Sequence, residues 1–167
     1  MLLLVAGLVW GSGCLTGCVG PAPGDSPLAT ATGSLPDASQ ELPLLASWSG
    51  DFPVAQLDLL PVGQRQSSVG YLGDMDAFAA VWPVLQPGQD LPEVDFVSQL
   101  VVFSRNVNFY NRTAIFKVTL KEGTAEVMAM ETMSAMPIED TVVMALAVIP
   151  RAGVRFITSG DERIAVP

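Results

Sequence analysis

Thr113-Ala-Ile-Phe-Lys-Val-Thr-Leu-Lys-Glu-Gly-Thr-Ala-Glu-Val-Met-Ala-Met-Glu131 is the stretch that settles the class of fold. Its first nine residues alternate, with Ala114, Phe116, Val118 and Leu120 on one side and Lys117, Thr119 and Lys121 on the other. That period of two is the signature of a half-solvated strand. Glu122-Gly123 supplies a tight turn in which Gly123 takes positive φ, and Ala125 to Glu131 pairs back as the second arm of a hairpin. Met128 and Met130 share one face of that arm and are expected to fill core.

Working outward from the hairpin, Val142 to Ile149 is apolar on both faces, which marks a central, fully covered strand. Pro150 ends it, Arg151 to Gly153 turns, Val154 to Thr158 reads as a last strand, and Asp161 to Pro167 reads as a frayed tail. Upstream, Val97 to Ser104 is rich in β formers, and Gln86 to Pro92 is a loop around Pro87-Gly88. Before that, Asp74 is placed to cap a helix from Met75 whose apolar positions Met75, Phe78 and Trp82 share a face, with Pro83 as its stop. Val54 to Leu60, ending at Pro61, and Val69 to Leu72 are the two earlier strands, separated by a polar turn from Gly63 to Ser68. One helix ahead of a run of hairpin-connected strands predicts an α+β fold, a mainly antiparallel sheet or small sandwich with one helix. No internal repeat and no second domain is visible.

The N-terminus carries an address. Met1 to Trp10 is an apolar run, Gly11 to Gly17 is small, and Leu15-Thr16-Gly17-Cys18 looks like a bacterial lipobox. Residues 1–17 are therefore expected to be a lipoprotein signal peptide, with Cys18 as the acylated first residue of the mature chain. Two or three acyl chains, at about 0.8 kcal/mol per buried CH₂, make such an anchor durable. Cys14 competes poorly as acceptor, because Gly11 stands three residues before it where Leu15 stands before Cys18. Residues 18–47, rich in Pro, Ala, Ser and Thr, read as the lipidated cysteine and a disordered tether, and 48–167 as a single β-rich domain opened by Trp48. Val19 follows Cys18, which by analogy with Gram-negative sorting favours the outer membrane.

Composition narrows the chemistry. The chain has no histidine, which removes Ser-His-Asp and Cys-His nucleophiles, the common zinc sites and any imidazole switch. Cys18 is the only cysteine left after cleavage, so no disulfide staples the fold. A formal charge of −9 argues against nucleic acid as a partner.

A helix ending near Trp82, then Leu91-Pro-Glu-Val-Asp-Phe96 leading into Val101-Val102-Phe103, resembles the PrcB family, named for a lipoprotein subunit of a bacterial surface protease complex. The resemblance covers roughly residues 69 to 158. Where family members tend to carry a Pro-Thr-Gly-Gly-Tyr type loop, this chain reads Arg105-Asn-Val-Asn-Phe-Tyr-Asn-Arg-Thr113. The resemblance implies the fold and an envelope location, and transfers no catalytic residues.

That loop is the candidate partner-binding segment. Arg105, Asn108, Tyr110 and Arg112 concentrate polar and cationic groups between strands, and Arg and Tyr are over-represented at interface hot spots. The alternative is an ordinary turn whose asparagines accept left-handed φ and whose arginines pair with local carboxylates. Met128, Met130, Met133 and Met136 offer thioethers, but core filling suits them better than copper, and no metal or cofactor is expected. Glu131, Glu139 and Asp140, or Glu93 with Asp95, could be imagined as a glycosidase pair; on an acidic chain such groups are ordinarily solvated. The expectation is a non-enzymatic, lipid-anchored envelope protein, periplasmic or surface facing, that docks or stabilises a protein partner such as a protease complex. The alternatives are an envelope hydrolase using paired carboxylates, or a structural lipoprotein.

Overall fold

Alternation and turn chemistry produce nine strands and one α-helix among the residues that the computed structural model describes, 39–106, 110–133 and 140–167. In chain order they are β1 (Gln40–Leu42), β2 (Ala46–Pro53), β3 (Val69–Leu72), α1 (Met75–Leu85), β4 (Gln99–Arg105), β5 (Tyr110–Lys121), β6 (Thr124–Met133), β7 (Thr141–Pro150), β8 (Phe156–Ser159) and β9 (Glu162–Ala165). Short 3₁₀ turns cover Val54–Leu59 and Val62–Gln64. The strands form two sheets, one ordered β2-β7-β4-β3 and the other β1-β5-β6-β8-β9. All described pairings are antiparallel except β6 with β8. This is an α+β sandwich with a single helix among the described residues. No helix among them is long and apolar enough to cross a membrane.

The four-stranded sheet is the middle layer, which explains why β7 and β4 are apolar on both faces. From one face of it, Val101, Phe103, Val142, Met144, Leu146 and Val148 pack with α1 and the 3₁₀ region, where Phe78, Val81, Trp82, Leu85 and Leu60 are buried. From the other face Leu100, Val102, Ala145, Ala147 and Ile149 meet Ile115, Val118, Ala125, Val127 and Ile157 of the five-stranded sheet. The helix starts where expected, with Asp74 Oδ1 accepting from Ala77 N at 2.8 Å. It does not stop at Pro83: the ring forfeits one helical hydrogen bond, but the chain continues to Leu85, which is buried in the core. Met75, expected on the buried stripe, is exposed, and Val81 and Leu85 take its place. Trp48 stands edge-on to Trp82 with ring centroids 5.1 Å apart, fixing β2 against the helix.

Several boundaries move. The first long strand is Ala46–Pro53, and Val54–Leu59 is 3₁₀ because the extended run ends at Pro53. The stretch expected to be tether through residue 47 already contributes β1 and the start of β2. Residues 1–38, including Cys18 and the leader, lie outside the described residues. The expected tail folds into β9, turned back on β8 at Gly160, where φ is +56°.

Side chains close both seams of the sandwich. Glu162 Oε2 accepts from Ser68 N at 2.7 Å, Ser68 Oγ at 2.9 Å and Val69 N at 3.3 Å, joining β9 to β3 across the sheets. Buried Gln64 takes the next free donor of that edge, Tyr71 N, at 2.6 Å. On the opposite seam Ser49 Oγ donates to Thr113 O. Strand edges that would otherwise invite pairing with another chain are thereby blunted. Gly70 is required beside Gln64, since a Cβ there would fall 2.5 Å from Phe103 Cζ.

Candidate functional site

The segment expected to bind a partner is split by the fold. Arg105 is the last residue of β4 and is only 3% exposed. Its Nε donates to Ser67 O at 2.6 Å, its Nη2 to Arg65 O at 2.8 Å, and its backbone N to Ser68 O at 2.7 Å. Burial pulls its guanidinium below its ordinary pKa, and the nearby Glu162 carboxylate works against that. Arg105 therefore clamps the 65–68 turn and offers no surface to a partner, which corrects the expectation for this residue. Asn108 lies outside the described residues, and of Tyr110 only its place at the start of β5 is described. Arg112 is exposed on the solvent face of the five-stranded sheet. Between these positions, buried Asn106 donates from Nδ2 to Thr113 Oγ1 at 2.6 Å and ties the end of β4 to β5.

That solvent face holds what the alternation alone did not reveal. A β-bulge interrupts the pairing of β5 with β6 between Ile115 and Lys117. A bulge places one extra residue on its strand, so the side-chain parity reverses across it. Before it, Thr113 and Ile115 face inward and are buried; after it, Val118 does. Phe116 is thrown outward and is 57% exposed, which overturns its expected place beside Val118. The same parity argument corrects the methionines. Ala125 and Val127 fill the core, so Met130 faces out at 62% exposure with half-buried Met128 beside it, and Met133 at the strand's end is 73% exposed.

Charge on this face is asymmetric. β5 carries Arg112, Lys117 and Lys121 and no acidic residue, on a chain whose net charge is −9. Exposed Glu126 lies on β6 opposite Thr119 in the strand register. Lys117 Nζ also meets Glu41 of β1 at 3.1 Å. Towards the turn the face sinks into a depression of about 590 Å³ lined by Ser39, Lys117, Lys121, Glu126, Met128 and Thr158 among others. At the β9 edge of the sheet Arg163 covers the Phe156 ring, 3.8 Å from its centre. The turn itself is held by β8: Gly123 O accepts from Arg155 N at 2.8 Å and Phe156 N at 3.0 Å. Glu122 and Gly123 both take positive φ, at 50° and 81°.

Asp95 spends its oxygens on Ser98 Oγ at 2.6 Å and Val97 N at 3.1 Å, which hold its carboxyl below the ordinary value while leaving it fully exposed. Glu131 is raised by desolvation, Asp140 is exposed, and Glu139 lies outside the described residues, as do Ser134 and Met136. Among the described residues no three His, Cys, Asp or Glu side chains converge as a metal site.

The chain matches no protein-family model, and comparison with curated proteins and with solved structures gives no match either.

Proposed function

We propose that this is a lipid-anchored protein of the cell envelope, acylated at Cys18, that acts without catalysis by docking a protein on the solvent face of its β5–β6 hairpin. The observation that carries the reading is Phe116, a large aromatic side chain turned outward by a bulge next to exposed Met130. Bulges commonly re-aim side chains at functional sites, and an aromatic with adaptable methionines, ringed by cations, has the make-up of a docking surface. Arg112 is retained from the expected binding segment, now as part of this face. The lipobox supports the lipid anchor, Val19 after Cys18 favours the outer membrane, and the resemblance to the PrcB family makes a secreted or surface protease one partner to try.

The test compares wild type, Phe116→Ser and Cys18→Ser. Acyl label is expected on wild type and Phe116→Ser and lost from Cys18→Ser. A stoichiometric partner, either a different envelope protein or a differently tagged second copy of this chain, is expected to co-purify with wild type from detergent-solubilised envelopes and to be lost from Phe116→Ser, whose circular dichroism should match wild type. Equal retention by both would reject the docking face, and label persisting on Cys18→Ser would reject the anchor.

A further inference from the structure

We infer that the protein docked on this face is a second copy of the same chain, related by a two-fold axis running along the hairpin. The inference rests on the docking reading above and supplies its partner. The axis sets β5 of each copy over β6 of the other at the same level. Within one chain the register aligns Arg112 with Thr132, Ala114 with Met130, Lys117 with Met128, Thr119 with Glu126 and Lys121 with Thr124. Across the axis, Glu126 of one copy then comes to rest against Thr119 of the other, between that copy's Lys117 and Lys121. Phe116, which the bulge places between Ala114 and Lys117, comes against Met128 and Met130.

The charge pattern selects this arrangement over the alternative. Every charged residue of β5 is a cation, with Lys117 shared with Glu41 of its own chain; of the two acids of β6, Glu126 stands at an outward position, whereas Glu131 is in register with buried Thr113. A two-fold across the strands would stack β5 on β5 and set cations against cations, an arrangement that like-charge repulsion disfavours. A two-fold along them pairs opposite charges twice, since each contact is repeated by symmetry.

With a rise of about 3.3 Å per residue and about 4.8 Å between strands, the hairpin and its short neighbours present roughly 500 Å² per copy. The pair would bury about 1,000 Å², the lower bound for a specific interface. Confinement of both copies by their acyl chains raises their effective concentration and lets a weak contact suffice.

The experiment is light scattering of the purified, acylated full chain in detergent, with protein mass separated from detergent mass by absorbance and refractive index. Wild type should pass from one chain to two as concentration rises. Lys121→Glu and Glu126→Lys should each weaken association by more than about tenfold, because each sets like charges together at both symmetric contacts. Mixing the two variants in equal amounts should restore the dimer, because in the mixed pair both contacts join opposite charges. Single variants that associate like wild type, or a mixture that stays monomeric, would overturn the inference. Wild type that is monomeric at every concentration, yet loses a different envelope protein on Phe116→Ser, overturns the second copy and leaves the docking face standing. Monomeric wild type with no such loss removes both.

Discussion

Arg105→Ala is expected to act on stability and not on binding, and the size of the effect follows from its surroundings. The side chain is 3% exposed and makes two charge-assisted bonds to main-chain oxygens, Ser67 O at 2.6 Å and Arg65 O at 2.8 Å. Bonds from a charged donor contribute a net of about 1.5–3 kcal/mol each. Truncation also removes the cost of holding a guanidinium away from water, so the lower end of that sum applies, a loss of about 3 kcal/mol. For a domain of this size a urea slope of roughly 2 kcal/mol/M turns this into a fall of about 1.5 M in the unfolding midpoint. Trp48 and Trp82, packed against each other in the helix-side core, report the transition by fluorescence. Arg105→Lys should fall between, because a single ammonium cannot reproduce the planar fork that reaches two carbonyls. A midpoint within about 0.3 M of wild type for Arg105→Ala would refute the reasoning.

Three further outcomes follow from named contacts. Trp82→Ala should cost about 3–5 kcal/mol, as deletion of a buried aromatic does; differential scanning calorimetry checks it, and Trp82→Phe should recover most of the loss, lacking mainly the 3.2 Å bond from Nε1 to Gln89 O. Glu131 has its pKa raised by desolvation, so the folded state favours its protonated form; that contribution is present below its ordinary value of 4.5 and is lost as pH rises through the raised folded value. Glu131→Gln should therefore melt above wild type at pH 7, with the gap closing on acidification below 4.5, and a gap independent of pH would reject the assignment. Gly70→Ala should destabilise by more than about 1 kcal/mol, because the new methyl group meets the Phe103 ring and overpacking carries at least that cost.

Period-two alternation, turn residues and capping were enough to determine the class of fold. Val142 to Ile149 announced a strand covered on both faces, Glu122-Gly123 announced the hairpin, and Asp74 announced the start of the helix, because each depends on neighbours within a few residues. β2 and β9 were equally legible in principle. Trp48, Gly50 and Phe52 alternate with Ser47, Ser49 and Asp51, and Gly160-Asp161 is a two-residue turn between Phe156–Ser159 and Glu162–Ala165. Pro43, Pro53 and the short length of the tail hid them. What only the tertiary structure decided is the direction of side chains whose environment comes from distant strands. The bulge at Ile115 to Lys117 reverses the face of Phe116, since burying Ile115 and Val118 between the sheets requires one extra residue between them. Arg105 reads on paper as a loop cation beside Arg112, but the buried end of β4 brings it to the carbonyls of Arg65 and Ser67, some forty residues away in sequence. Local pattern determines which residues form a strand, whereas pairing between strands far apart in the chain determines which of its faces meets solvent.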